Sequence, residues 1–294
     1  MPIEWARNSE LELAYERMGA RDGEPLLLIM GMGLQMVAWP DGFCDALGAK
    51  GFAVVRYDNR DAGLSSQLTR RGRPGLLRGR KGAAYELADM ADDAVAVMDA
   101  LGWEGAHLFG AAVGGTIAQL VALRRPERVR TLGLAAAYAG SRRGQVHTGA
   151  AVRSMLGKLL RRYPPGREGS ARALTDMARS AASPGYPFDE EMWRQMGLTS
   201  YDRRPDPGPG LMRQFRAFRA AGDLLPRLAG ITAPTLVIHG EADPMVRVGA
   251  SRAIADAIPG ARMKLYPGMG HDLPRDLWPS IADELWTLAA TTPT

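Results

Sequence analysis

The stretch His107-Leu108-Phe109-Gly110-Ala111-Ala112-Val113-Gly114-Gly115 constrains this chain more than any other. An apolar run with strand character, 106–109, meets a Gly-x-x-x-Gly turn, and a helical pattern follows at once from Thr116 through Leu123. That is the layout of a nucleophile elbow, where a strand turns sharply into a helix and one side chain is thrust above the sheet. Gly110 and Gly114 flank the apex, so the two backbones can approach with no Cβ between them. The apex is Ala112, where the motif carries a serine. A methyl group cannot attack a carbonyl.

The rest of the chain supplies the sheet such an elbow needs. Residues 25–30 and 52–57 are nearly continuous apolar runs, as expected of strands buried on both faces. Residues 11–16 alternate and read as an edge strand leading into Gly19, and 129–136, 234–239 and 263–266 read as further strands. Helical patterns at 39–49, 85–101, 248–258 and 277–288 separate them. This alternation predicts an α/β fold, a mostly parallel central sheet with helices on both faces. Between Gly140 and Leu228 the rhythm changes to successive helical patterns at 152–160, 172–181, 190–198 and 212–220, split by Pro/Gly clusters. The expected organisation is a core of residues 1–139 and 229–294 with an inserted helical cap, 140–228. The cap should lie over the C-terminal edge of the sheet, where ligands bind in open α/β folds.

Composition excludes several classes. Apolar content of 46% and charged content of 23% are ordinary for a globular chain of 294 residues. No apolar run approaches the roughly 18 residues of a membrane span. Met1 to Trp5 shows no basic-then-apolar leader, so the cytoplasm is the expected compartment. The single cysteine, Cys44, fits a buried helix position. The net charge of +5 owes much to arginines clustered at 70–81, a Gly- and Leu-rich segment without aromatics that reads as a solvated loop. Neither a nucleic-acid nor a membrane partner is expected. No pair of histidines has metal-ligand spacing, so neither a metal nor another cofactor is expected.

Three further elements fall where acyl transfer would need them. Asp243 and His271 each lie just beyond the C-terminal end of an expected strand, and the order elbow, acid, histidine is that of a Ser-His-Asp hydrolase with this elbow. A carboxylate at Asp243 would hold the imidazole tautomer and stabilise the imidazolium formed on proton transfer. In the loop Gly31-Met32-Gly33, Gly31 and Gly33 are candidate substrate contacts, and Met32 N–H with Val113 N–H would form an oxyanion hole. His107 and His239 lie within strands and read as core histidines, and His147 sits near the cap's start. Ser65 and Ser66 follow a different strand with no elbow signature and are not expected to replace the missing nucleophile. Met192, Trp193, Met196, Met212, Phe215 and Phe218 on the cap patterns are candidate substrate contacts.

Residues 39–43, 56–66, the elbow, 234–244 and 267–274 together resemble the α/β-hydrolase superfamily, and within it the anthracycline (aclacinomycin-type) methylesterases of polyketide biosynthesis. The likeness covers the core and is weaker over the cap. It implies the α/β-hydrolase fold, with His271 as base, Asp243 as its orienter, and Met32 and Val113 as oxyanion donors. The implied substrate is a small apolar, polyketide-like ester, handled by a monomer or homodimer. Relatives of that kind carry serine where this chain has Ala112, so no ester hydrolysis is expected of the chain as written. Three explanations compete: an esterase whose serine is replaced by alanine, an enzyme using the His–Asp pair for cyclase, lyase or decarboxylase chemistry, or a catalytically dead ligand-binding protein.

Overall fold

The computed structural model describes residues 2–20, 22–68, 83–141, 143–147, 163–205 and 208–291. Its strands are β1 (Glu4–Asn8), β2 (Leu11–Gly19), β3 (Glu24–Ile29), β4 (Phe52–Tyr57), β5 (Ala106–Ala111), β6 (Val129–Ala135), β7 (Thr235–Gly240) and β8 (Arg262–Tyr266). They form one sheet in the order β1-β2-β4-β3-β5-β6-β7-β8, antiparallel at β1/β2 and β2/β4 and parallel elsewhere. The helices α1 (Asp41–Gly48), α2 (Leu87–Ala100), α3 (Val113–Arg124), α7 (Val248–Ala257) and α8 (Trp278–Ala289) alternate with the strands. Between β6 and β7 come α4 (Arg167–Arg179), α5 (Glu190–Arg203) and α6 (Gly208–Ala220). The helical pattern at 152–160 and the basic segment at 70–81 lie outside the described residues.

Period-two alternation divides the apolar strands between two cores. Leu27, Ile29, Val55, Leu108 and Val237 face one layer, with Met90 and Val97 of α2, Ile117 and Val121 of α3, and Ile254 of α7. Leu26, Leu28, Val54, Phe109 and Ile238 face the other, with Phe43 and Leu47 of α1 and Ile281 and Leu285 of α8. A run apolar at every position is therefore the signature of a strand covered on both sides. Cys44 is buried in the second layer, and burial pushes its thiol up to about 12. No helix among the described residues is long and apolar enough to cross a membrane, and none of their side chains cluster as a metal site.

One expectation needs correcting. The strand beginning at Leu11 is not at the edge, because β1 pairs along its outer side with Trp5 opposite Ala14. β1 is five residues long and buries only Ala6, leaving Trp5 half exposed, so its pattern carries almost no apolar signal.

The polar turn after β4 is buried. Asp58, Asn59, Arg60 and Asp61 are each under 4% exposed. Arg60 meets Asp93 of α2 through two hydrogen bonds of 2.6 and 2.7 Å, and Asn8 of β1 donates to the same carboxylate at 2.8 Å. Removing one partner of a buried pair leaves the other charge uncompensated, which typically costs about 3–5 kcal/mol. Asp93→Ala is therefore expected to lower unfolding free energy by about that amount in urea melts, while Asp93→Leu combined with Arg60→Met costs less.

Candidate active site

The site lies where the strand order reverses. From β3 the chain crosses to β4 on one side, and β5 takes the place on β3's other side, so the loops leaving β3 and β5 diverge around a crevice at their carboxyl ends. The loop after β3 is Met30-Gly31-Met32-Gly33, and the turn after β5 is the elbow.

Ala112 sits at the elbow's apex with φ +50° and ψ −119°. An L-residue is rarely found there, and such a conformation costs on the order of 1–3 kcal/mol unless the surroundings impose it. Here they do. A Cβ on Gly114 would lie 2.0 Å from the Ile29 carbonyl oxygen, and one on Gly110 would lie 2.5 Å from that of Gly114, so strand and helix are locked at backbone distance. Ala112 N–H also donates to the Ala135 carbonyl at 2.9 Å. A Cβ on Gly31 would lie 3.4 Å from the Ala112 methyl, which sets the β3 loop directly against the apex. Among the described residues neither Met32 N–H nor Val113 N–H has a hydrogen-bond acceptor. Val113 is the first residue of α3, so its donor also stands at the positive end of a helix dipole.

Asp243 and His271 come together as the sequence predicts. His271 Nδ1 lies 2.7 Å from Asp243 Oδ2. The second carboxylate oxygen accepts from Met245 N–H at 2.7 Å and Val246 N–H at 2.8 Å, so both oxygens are engaged and the carboxylate is fixed. Burial pushes the Asp243 carboxyl up, but the bond and charge of His271 and the two backbone donors outweigh it and hold it below the usual range. The histidine loop is anchored in turn. His271 N–H donates to the Ala181 carbonyl at 2.9 Å, and Gly270 N–H donates to Ser183 Oγ at 2.7 Å.

The other histidines and serines have structural partners. His107 Nδ1 meets Thr131 Oγ1 at 2.7 Å within the sheet, and burial pushes its pKa down to about 4. His239 Nε2 donates to the Val246 carbonyl at 3.1 Å while Nδ1 meets Ser251 Oγ at 2.7 Å. His147 donates its backbone N–H to Met245 at 2.9 Å. Ser65 Oγ donates to the Asp58 carbonyl and accepts from Ala14 N–H, and Ser66 Oγ accepts from Glu12 N–H, so both tie the turn to β2.

The helical candidates for substrate contact separate. Met192 and Met196 of α5 line a cleft of about 780 Å³ with Met18, Val37 and Trp278, a wall that includes none of Ala112, Asp243 and His271. Trp193 is half-buried on the same helix. Phe218 packs edge-on against Tyr138, with centroids 5.3 Å apart, whereas Met212 and Phe215 are exposed.

Sequence reasoning missed how the inserted helices hold the site. Asp58, with no side-chain exposure, accepts from Met36 N–H at 2.7 Å and Leu64 N–H at 2.9 Å and pairs with Arg203 of α5 at 2.5 Å. Asp61 receives two bonds from Arg213 of α6, at 2.6 and 2.8 Å. Gln214 of α6 accepts from Gly33 N–H at 2.8 Å.

A family of hydrolases described as serine aminopeptidase, S33, matches residues 25–277. Rhodomycin D methylesterase DauP from Streptomyces sp. (strain C5) is 32% identical, with 93% of this chain and 93% of that protein covered. Rhodomycin D methylesterase DnrP from Streptomyces peucetius is 30% identical, again over 93% of each. Among solved structures, the enol-lactonase from Burkholderia xenovorans LB400 shares the fold with a TM-score of 0.71 at 23% identity, over 98% of this chain and 100% of that one.

Proposed function

The chain belongs to the serine aminopeptidase S33 family of α/β-hydrolases, an esterase-type scaffold, and from that premise we infer that its site binds the carboxylic (methyl) ester of a small apolar, polyketide-type molecule without hydrolysing it. The observation that carries this reading is the strained apex: Ala112 keeps φ +50° beside two backbone donors that have no acceptor among the described residues, and the chain also holds a hydrogen-bonded His271–Asp243 pair. The ester carbonyl oxygen would sit against Met32 and Val113 N–H, with its carbon over the Ala112 methyl. A serine at that apex would give its proton to His271 Nε2 as Oγ attacks. Asp243 would stabilise the imidazolium, and the alcohol would leave with the proton returned by His271. Water activated by the same histidine would then release the acid. The methylesterase relatives at 30–32% identity support the substrate class.

The test is fluorophosphonate labelling and a methyl-ester panel applied to the Ala112 protein and to Ala112→Ser. Labelling and turnover by the serine variant alone support the reading. Labelling of the Ala112 protein, or inertness of a folded serine variant, overturns it.

One observation favours a second reading. The His271–Asp243 pair is intact at 2.7 Å although the chain has no nucleophile for it to activate. The pair would then act as a general base on a bound ligand's own acidic proton, in cyclase, lyase or decarboxylase chemistry. In that case His271→Ala abolishes turnover of non-ester polyketide-type substrates by the Ala112 protein while ligand affinity changes by less than about threefold, since general-base catalysis alone contributes on the order of 10²–10⁴-fold.

A further inference from the structure

The β3 loop that carries the Met32 donor is held from both sides. On one side it meets the Ala112 methyl through Gly31. On the other it meets α6. A Cβ on Gly33 would lie 2.6 Å from Leu211 Cδ1, so Leu211 packs directly over that residue. Gln214, one turn further along α6 and 1% exposed, spends its whole amide on the site's framework. Its Oε1 accepts from Gly33 N–H at 2.8 Å, and its Nε2 donates to the Arg60 carbonyl at 2.8 Å. The same helix is fixed in place by the two bonds from Arg213 to Asp61. A Cβ on Gly210 would lie 2.1 Å from the Asp61 carbonyl oxygen, so the start of α6 rests on the turn after β4 at backbone distance.

We propose that Gln214 is a positioning residue, which sets the direction of the Met32 donor by pinning the next peptide plane of the loop. The deduction rests on the esterase geometry proposed above. Gly33 has φ +76°, so the loop passes through a conformation in which the Met32–Gly33 plane is free to rotate unless something holds its N–H. Gln214 is what holds it. Rotation of that plane changes ψ of Met32 and with it the path of the loop that aims Met32 N–H at the substrate oxygen. A half-buried amide left unpaired by loss of Gln214 would also be free to turn toward another acceptor. Because Gln214 belongs to the segment inserted between β6 and β7, the seating of α6 is coupled to the oxyanion hole.

Two variants separate positioning from bulk structure. Gln214→Met keeps the side chain's length but removes both hydrogen bonds. Gln214→Glu keeps the acceptor toward Gly33 and, when protonated, the donor toward the Arg60 carbonyl. In the Ala112→Ser protein, Gln214→Met is expected to lower kcat about tenfold to a hundredfold with KM within about threefold, since misplacing a reacting group by an ångström costs up to about 10²-fold and losing an oxyanion donor 10²–10³-fold. Gln214→Glu is expected to recover most of kcat. An unchanged kcat with Gln214→Met, or a loss confined to KM, overturns the proposal. A second measurement does not depend on hydrolysis: amide hydrogen exchange in the Ala112 protein. Gln214→Met should speed exchange at Gly33, whose N–H loses its acceptor, while the amides of α3 stay protected. If the Gly33 amide exchanges as in the parent, Gln214 positions nothing, whatever Ala112→Ser does. If it does speed up while Ala112→Ser hydrolyses no ester, the positioning role stands and the esterase reading alone falls.

Discussion

Ala112→Ser is expected to raise hydrolysis of a matched methyl ester by on the order of 10⁴- to 10⁶-fold over the Ala112 protein, the range spanned by removing a nucleophile from a complete triad. The size follows from what is already built. The substitution adds a single oxygen to a Cβ that the elbow has already placed above the sheet at φ +50°, so no backbone movement is required and serine pays the same conformational cost as alanine. His271 Nδ1 lies 2.7 Å from Asp243 Oδ2, and among the described residues Met32 and Val113 N–H have no hydrogen-bond acceptor. The Ala112 protein should retain only the residual acceleration that binding and the oxyanion donors provide. The check is kcat/KM for both proteins on the same ester, with His271→Ala in the serine background as the control that returns the rate to the Ala112 level. A gain below tenfold in a variant with native circular dichroism would mean that the pocket does not place a carbonyl carbon over residue 112.

How much of this was legible in the sequence depended on whether the signal was local. Asp243 and His271 are separated by 28 residues, yet they follow the C-terminal ends of two neighbouring parallel strands, β7 and β8, so topology alone delivers them to one place. The elbow was legible because its glycines and its helix are contiguous. β1 was not, since a five-residue strand burying one alanine leaves no periodicity to read. The burial of the turn after β4 was not legible for a physical reason. The charges of its Asp, Arg and Asp are compensated by Asp93, Arg203 and Arg213, and the last two lie 145 and 152 residues further on. The same holds for Gln214, whose acceptor role toward Gly33 spans 181 residues. Met and aromatic residues on the inserted helices carry a signal for burial but not for which surface buries them. Accordingly Phe218 packs on Tyr138 while Met192 and Met196 line a cleft.

Asp243→Asn should cost the Ala112→Ser enzyme on the order of 10⁴-fold in kcat while leaving the fold intact, the loss expected when an orienting carboxylate becomes an amide. The reason is selective. Asparagine's oxygen can still accept from Met245 and Val246 N–H, so the turn after β7 keeps its two bonds of 2.7 and 2.8 Å. What changes is the atom facing His271 Nδ1. A carboxylate oxygen there accepts a proton-bearing Nδ1, which leaves Nε2 unprotonated and able to take the serine's proton. An amide NH₂ donates instead, forces the proton to Nε2, and points the wrong tautomer at residue 112. It also removes the negative charge that would stabilise the imidazolium. The effect on binding should be small, since Asp243 is buried and both its oxygens are engaged by His271, Met245 and Val246. Stability supplies an independent reading in the Ala112 protein. The Asp243 carboxyl is held below its usual range, so its contribution is fully present above the pKa of the unfolded chain and is lost as pH falls through the lower folded value. The stability gap between the parent and Asp243→Asn should therefore be widest near neutrality and close on acidification. A gap that stays constant into the acid range would mean that the His271–Asp243 bond is not what holds the carboxylate ionised.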